Sequence, residues 1–415
     1  MSTELAKVPQ AIVEVKRQLR RQLPHRREVF AEVEDYVRHE AEDIRDRLAR
    51  GGPVIPEVDY SAVAAGRVPA AVTAAIKRRG CAVVRQVFPR SQAEAWNEAL
   101  GEYITGNGYY EAGVNPALDQ YFSVLKSGRP QIFGIYWSRP QVEARQAVSL
   151  ARTRAFLNSL WIGRRGAEVY FDPERECTYA DRVRRREPGD ATLGLSPHMD
   201  AGSVERWIDP AYRRVYRHVF SGDWRAFDPF DGAWRMETEE IPSPAVCSVF
   251  RTYQGWTALT PQGPGAGTLQ LVPIAAGIAY LLLRALQDDV AEDQLCGAEP
   301  CRALSASWEW HAPLLEGLCP IPHVEPGDTI WWHPDIVHAV EDRHLGRGHS
   351  SVMYIGAAPY CAKNAAFLGR QWAAFLKGES APDFAPENCE VNYRGRATPE
   401  DLSDLGRRQM GLLSW

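Results

Sequence analysis

Through the first fifty positions apolar side chains recur every three or four residues, first as Ile12, Val15, Leu19 and Leu23, then as Phe30, Val33, Val37, Ile44 and Leu48. That period predicts two amphipathic helices, separated by Pro24 and ended by the Gly51-Gly52-Pro53 stretch and Pro56. From Tyr60 onward the period changes. A helix over 69–78 leads through Gly80 into a short apolar strand at 81–84, and another helix follows at about 91–104. The run QIFGIYW (131–137) has the β-branched and aromatic make-up of a strand, and 141–160 reads helical. Beyond it, strand-like segments at 193–199, 245–259, 268–273, 329–332 and 351–355 alternate with Gly/Pro turns. Helices first and many short strands after predict an α+β chain with an antiparallel barrel or sandwich. No repeat or low-complexity linker divides it. The economical division is an N-terminal helical extension (1–55), one catalytic domain (56–378) and a C-terminal tail packed on it (379–415).

Composition narrows the class. Lys and Arg number 48 against 53 Asp and Glu, a net charge of −5, so the chain as a whole is no nucleic-acid polycation. Six basic residues do cluster between Lys16 and Arg27. An RNA or phospholipid patch competes with a solvated helix face balanced by the acidic residues that follow, and the second is favoured. The longest apolar stretch, 274–283, is half the roughly 20 residues a membrane-spanning helix needs. The N-terminus lacks the apolar core of a secretory signal. Eight cysteines without a CxxC pair fit reduced thiols in the cytoplasm better than a disulfide scaffold.

The chemistry begins at TLGLSPHMD (192–200). In an extended segment His198 and Asp200 face the same side. An imidazole and a carboxylate two residues apart are two-thirds of the 2-His-1-carboxylate set that binds non-haem Fe(II) and leaves positions open. Alone this is a common chance occurrence; a surface His beside a turn Asp explains it equally. The stretch EPGDTIWWHPDIVHAV (325–340) adds a Pro-Gly-Asp turn, a short strand and a histidine-bearing turn, able to return a distal His to the same ion. His333, His338, His344 and His349 compete for that role. His333 precedes a proline and reads as a turn or supporting residue; His344 and His349, in a Gly-rich loop, read as solvent-facing.

The order HxD, then GTLQLVP (267–273), then PGDxxxxxPxxxH resembles the Fe(II)/2-oxoglutarate-dependent oxygenases. More closely, HMDAGSVERW (198–207), FRTYQGW (250–256) and VMYIGAAPY (352–360) resemble the YbiU-like branch of that superfamily. The resemblance implies a double-stranded β-helix (jelly-roll or cupin-like) barrel with flanking helices, carrying Fe(II) on His198, Asp200 and His338. It further implies 2-oxoglutarate and O₂ as co-substrates, with decarboxylation to succinate and CO₂ coupled to oxidation of a small molecule. Related halogenases lack the carboxylate, so Asp200 favours hydroxylation. The far carboxylate of 2-oxoglutarate needs a cation, and an Arg fork suits it. Arg251, in a block shared with the branch, and Arg347, nine residues after His338, compete; Arg251 is favoured because Arg347 sits in a Gly-flanked loop that reads equally as solvated. Gln254, Trp256 and Thr257 are expected as walls of the same pocket.

Two further stretches are rich in charge and rings. Residues 205–244 hold eight aromatics and several arginines, read either as a lid binding a planar or anionic substrate or, in preference, as a satellite core. The run RVRRR (182–186) reads as a solvated loop, with an anion site as the alternative. Two other functions stay open: a silent β-helix protein that only binds a ligand, and a zinc hydrolase using the same three ligands. No separate general base accompanies them, which counts against the hydrolase.

Overall fold

The computed structural model of the protein describes residues 5–111, 130–191 and 197–415; positions 193–196 of the strand expected at 193–199 lie outside them. In chain order the first strands are β1 (Glu57–Asp59), β2 (Cys81–Arg85), β3 (Ile132–Phe133), β4 (Arg164–Arg165), β5 (Glu168–Val169), β6 (Glu176–Cys177), β7 (Val183–Arg186) and β8 (His198–Met199). There follow β9 (Tyr253–Ala258), β10 (Leu269–Leu271), β11 (Leu304–Ser305), β12 (Cys319–Pro320), β13 (Thr329–Trp332), β14 (His338–Val340) and β15 (Ser350–Pro359). Among the described residues, one sheet runs β1-β2-β13-β9-β15-β7-β3, with β6 on β15, and a second runs β11-β8-β14-β10-β12. β4 and β5 pair alone. The architecture is mixed α+β.

β9 lies between β13 and β15, with Trp256 opposite both Ile330 and Tyr354. Its six residues are all buried, because both faces are covered. On one face Trp256, Ile330 and Val352 pack with Leu269 and Leu271 of the second sheet. On the other, Tyr253, Trp331 and Met353 join Trp96 and Leu100 of the helix Arg90–Gly106. Gly255 is demanded by this packing: a Cβ there would stand 2.5 Å from the Ile330 carbonyl oxygen.

The two N-terminal helices form as the period predicts, α1 over Val8–Gln22 and α2 over Arg26–Ala49. Their buried stripes pack on Trp207, Tyr216 and Phe220 and on the helix Ile278–Arg284, while Leu48, in the last turn, is exposed. The basic cluster is balanced within the chain, though chiefly by the segment 286–294 rather than by α2. The Lys16 ammonium donates to the carbonyls of Ala291 and Gln294 at 2.7 and 2.6 Å. Arg17 pairs with Glu292, and Arg26 and Arg27 with Asp288.

The 205–244 stretch folds into the helices Glu205–Ile208, Pro210–Val215 and Arg217–Ser221, and its rings, all but Phe230, join the core shared with α1 and α2. The expected strand at 131–137 is shorter than its composition suggests. Only Ile132 and Phe133 pair, with Arg184 and Val183. The N–H groups of Tyr136 and Trp137 leave the ladder to donate to the buried Glu390 carboxylate of the C-terminal tail. Tyr103 Oη donates to it as well, at 2.8 Å. Glu390→Ala would orphan these donors, and we expect a loss of about 2–4 kcal/mol, read as a lower denaturant midpoint with the slope unchanged. The helix expected at 141–160 is two, Arg139–Arg145 and Val148–Ser159. None of the eight cysteines is in a disulfide. Among the described residues no helix is long and apolar enough to cross a membrane.

Candidate metal centre and its cavity

β8 and β14 are neighbours in the second sheet, and their register sets His198 directly opposite His338. Opposed side chains of an antiparallel pair share a face and stand close; here the ring centroids are 4.3 Å apart at 49°. The chain bends after Met199, and the bend turns Asp200 back onto both rings. Its Oδ1 lies 3.3 Å from His198 Nε2 and its Oδ2 3.7 Å from His338 Nε2. One donor atom from each of the three residues lies within 4.8 Å of the others. Two imidazoles and one carboxylate form a donor set suited to a divalent transition metal, with coordination positions to spare.

The surroundings prepare these groups as ligands. His338 Nδ1 lies 3.4 Å from the Ile336 carbonyl, which can only accept, so the proton sits on Nδ1 and the Nε2 lone pair faces Asp200. Burial, with His198 alongside, lowers His338 to about 4. The ring is therefore neutral at physiological pH, as ligation requires. Burial works against charge on Asp200, but His338, His198 and Arg251 outweigh it and hold the carboxyl well below the usual range. Gln254 Nε2 donates to Asp200 Oδ2.

The triad opens on a cavity of about 280 Å³ lined by residues of both sheets, at the lower edge of the roughly 300–1,000 Å³ typical of small-molecule sites. Arg251, Gln254 and Trp256 line it. Arg251 lies over the Tyr179 ring with Nη2 4.0 Å from Asp200 Oδ2. Gly356 leaves it room, since a Cβ there would meet Arg251 Cδ at 3.2 Å. One expected wall residue, Thr257, and one expected anchor, Arg347, are not in the cavity. Thr257 is buried on the opposite face of β9, because alternation turns it away from Gln254 and Trp256. Arg347 is exposed in the loop before β15. His349 is exposed too, but His344 is buried, its Nε2–H donating to the Gly348 carbonyl at 2.6 Å. His333 is fully buried against Trp161 and the Pro229 carbonyl, a supporting residue of the turn. Of the 205–244 stretch only Pro244 borders the cavity.

Two parts of the site escaped the sequence reading. The run 182–186 is no solvated loop: β7 occupies it, pairing with β15 and β3. Arg182 and Arg184 face the cavity with Tyr354, while Arg185 turns outward to the Asn97 carbonyl. The period-two spacing of Arg182, Arg184 and Arg186 was the available signal, obscured by charge density unusual in a buried strand. The second is a clamp behind the triad. Asp335, in the turn between β13 and β14, accepts from Arg206 Nη1 at 2.6 Å, Arg235 Nη2 at 2.9 Å and Tyr216 Oη at 2.9 Å. Arg206 also donates to the carbonyls of Ala201 and Gly202. One guanidinium thus ties the segment after Asp200 to the turn before His338.

A family model described as Gig2-like matches residues 6–412. The chain is 43% identical over 404 residues to "Uncharacterized protein YbiU" of Escherichia coli (strain K12), covering 97% of this chain and 96% of that protein. A solved structure described as the "Putative Oxidoreductase from Salmonella typhimurium LT2" is 41% identical, with a TM-score of 0.93 and 97% of both chains covered. Another, "GlcNAc Inducible Gene 2, GIG2 (DUF1479) from Candida albicans", is 26% identical with a TM-score of 0.83, covering 97% of this chain and 89% of that one.

Proposed function

The chain belongs to the Gig2-like family, and from that premise we propose that it is a non-haem Fe(II)/2-oxoglutarate-dependent oxygenase hydroxylating a small molecule. The observation that carries this reading is the convergence of His198, Asp200 and His338 on one cavity from two strands and a bend. The relative described as a putative oxidoreductase agrees with it. The two sheets around the cavity are read as the walls of a double-stranded β-helix. Eight unpaired cysteines suit a reducing, cytoplasmic setting.

In this reading His198, Asp200 and His338 hold Fe(II), which when bound supplies the oxidative chemistry with O₂ and 2-oxoglutarate. The residues of the chain position and exclude. Gln254 holds the Asp200 carboxylate through Oδ2, the oxygen that Arg251 also approaches, and His338 is held in one tautomer by the Ile336 carbonyl. Trp256 and Trp332 close the walls against water. Arg251 and Arg182 make the cavity cationic, which favours an anionic or aromatic substrate. With a carboxylate at position 200, hydroxylation is expected over halogenation.

Anaerobic addition of Fe(II) and 2-oxoglutarate should give a weak visible charge-transfer band, followed in air by slow succinate release. A fully metal-loaded protein that shows neither would overturn the oxygenase reading and leave the ligand binder or the zinc hydrolase.

A further inference from the structure

Among the described residues that line the cavity, Arg184 stands out for a guanidinium edge without an acceptor. Arg184 is 4% exposed, and its Nε and Nη2 atoms are buried without a hydrogen-bond partner among the described residues. Arg182, whose Nε also lacks a hydrogen bond, has Asp181 as a counter-charge at 3.6 Å, and Arg251 has Asp200 at 4.0 Å. Nε and Nη2 form one edge of the guanidinium, the fork that receives a carboxylate through two parallel N–H···O bonds. Buried donors are almost always satisfied, so an unpaired guanidinium edge on an arginine that lines the cavity marks a missing acceptor.

Strand register locates that fork relative to the triad. Gln254, which holds Asp200, pairs with Gly356 on β15. Arg184 pairs with Val352, four residues along the same strand, about 13 Å away at roughly 3.3 Å per residue. Arg251 lies at the other end, before β9 begins. The Arg184 backbone is thus set back from the metal ligands by a distance that an arginine side chain and a short bound acid can span together. Between the two, Leu269 and Val340 of the second sheet and Trp256 of the first offer apolar walls, suited to methylene groups. Tyr354 stands beside Arg184 on the same lining. A charged end, an apolar middle and a metal at the far end fit a five-carbon 2-oxo diacid chelating through its oxo-acid end.

We propose that Arg184, rather than Arg251 or Arg347, receives the far carboxylate of 2-oxoglutarate. This rests on the oxygenase reading above, and it leaves Arg251 on the Asp200 side of the cavity, where it faces the substrate. Burying an unpaired cation costs stability that the ligand repays, so Arg184 belongs to binding rather than to the fold.

The test is a binding measurement with no turnover. Wild type, Arg184→Leu, Arg184→Lys and Arg251→Leu are loaded with Mn(II), and 2-oxoglutarate and 2-oxopentanoate are titrated, following quenching of tryptophan fluorescence. The second acid keeps the chelating end and lacks the far carboxylate. Wild type should prefer the diacid by about 10- to 100-fold. Arg184→Leu should abolish that preference without changing 2-oxopentanoate affinity, metal content or, downward, the apo melting temperature. Arg184→Lys, which keeps the charge and loses the fork, should fall between, and Arg251→Leu should retain the preference. Preference kept in both Arg184 variants, or lost in Arg251→Leu alone, overturns the assignment while leaving the oxygenase reading intact. A metal-loaded wild type that binds both acids equally, or neither, overturns the 2-oxoglutarate reading itself.

Discussion

Asp200→Ala should abolish metal-dependent oxidation and lower Fe(II) affinity by at least about 100-fold. Losing an outer partner of a metal ligand already costs roughly 10- to 100-fold, and Asp200 is the single carboxylate of the set. Its removal leaves two imidazoles and no anionic ligand to hold a divalent cation. It also strips Arg251 of the carboxylate 4.0 Å from its Nη2, so a positive charge facing the site is no longer balanced. Both effects push the same way. Anaerobic metal titration reads the affinity and succinate release reads the turnover. A variant that keeps its metal and still oxidises substrate would show that another residue completes the set. Asp200→Glu is the informative companion, because it preserves charge while displacing the oxygen; metal binding should partly survive and turnover should not.

Asp335→Ala should be the most damaging substitution to the fold, at about 3–5 kcal/mol, or a melting temperature lower by roughly 10 °C. Its carboxylate is 1% exposed and lies between Arg206 and Arg235, themselves 0% and 6% exposed. Removing it leaves two buried cations without a counter-charge, which costs far more than the pair itself is worth. The pH dependence follows from the same contacts. Burial opposes ionisation of Asp335, but Arg235 and Arg206 outweigh it and hold its pKa far below the ordinary carboxylate value. The unfolded chain therefore binds this proton first as pH falls. The stabilisation is complete above about pH 4 and drains away below it. Wild-type stability should fall steeply in acid, and the variant's should fall less, since it has already lost that contribution. Because Asp335 lies three residues before His338, and Arg206 spans to the carbonyls of Ala201 and Gly202, metal affinity should drop as well. A variant as stable as wild type between pH 5 and 8 would refute the clamp.

These two sites show unequal legibility. Local chemistry was visible along the chain: the HxD pair, the later histidine at 338, and the helical stripes from Ile12 to Ile44, since each depends on residue types at short spacing. Even there the means differed, for a bend after Met199, not strand alternation, brings Asp200 onto the imidazoles. The choice of His338 among four histidines needed a register, Leu271 opposite His338 and His338 opposite His198, which no local pattern specifies. His344 looked solvated because its neighbours are Gly, Arg and exposed loop, yet its ring is buried by hydrogen bonds of its own turn.

Residue order alone sufficed for the two N-terminal helices, the helices near 69–78 and 91–104, the short apolar strand at 81–84 and an imidazole and a carboxylate two residues apart, all consequences of periodicity and turn chemistry, but not for the helices between 205 and 284, in a region read as strand-like. Tertiary structure alone decided which arginine faces which end of the cavity. The same run of charge is a solvated loop or the inner face of a buried strand depending on what pairs with it. Arg184 faces the site only because β7 is covered by β15 and β3, and Asp335 is an anchor only because two arginines more than a hundred or about a hundred positions away fold onto it. Long-range pairing sets burial, and burial sets what a charged side chain is worth.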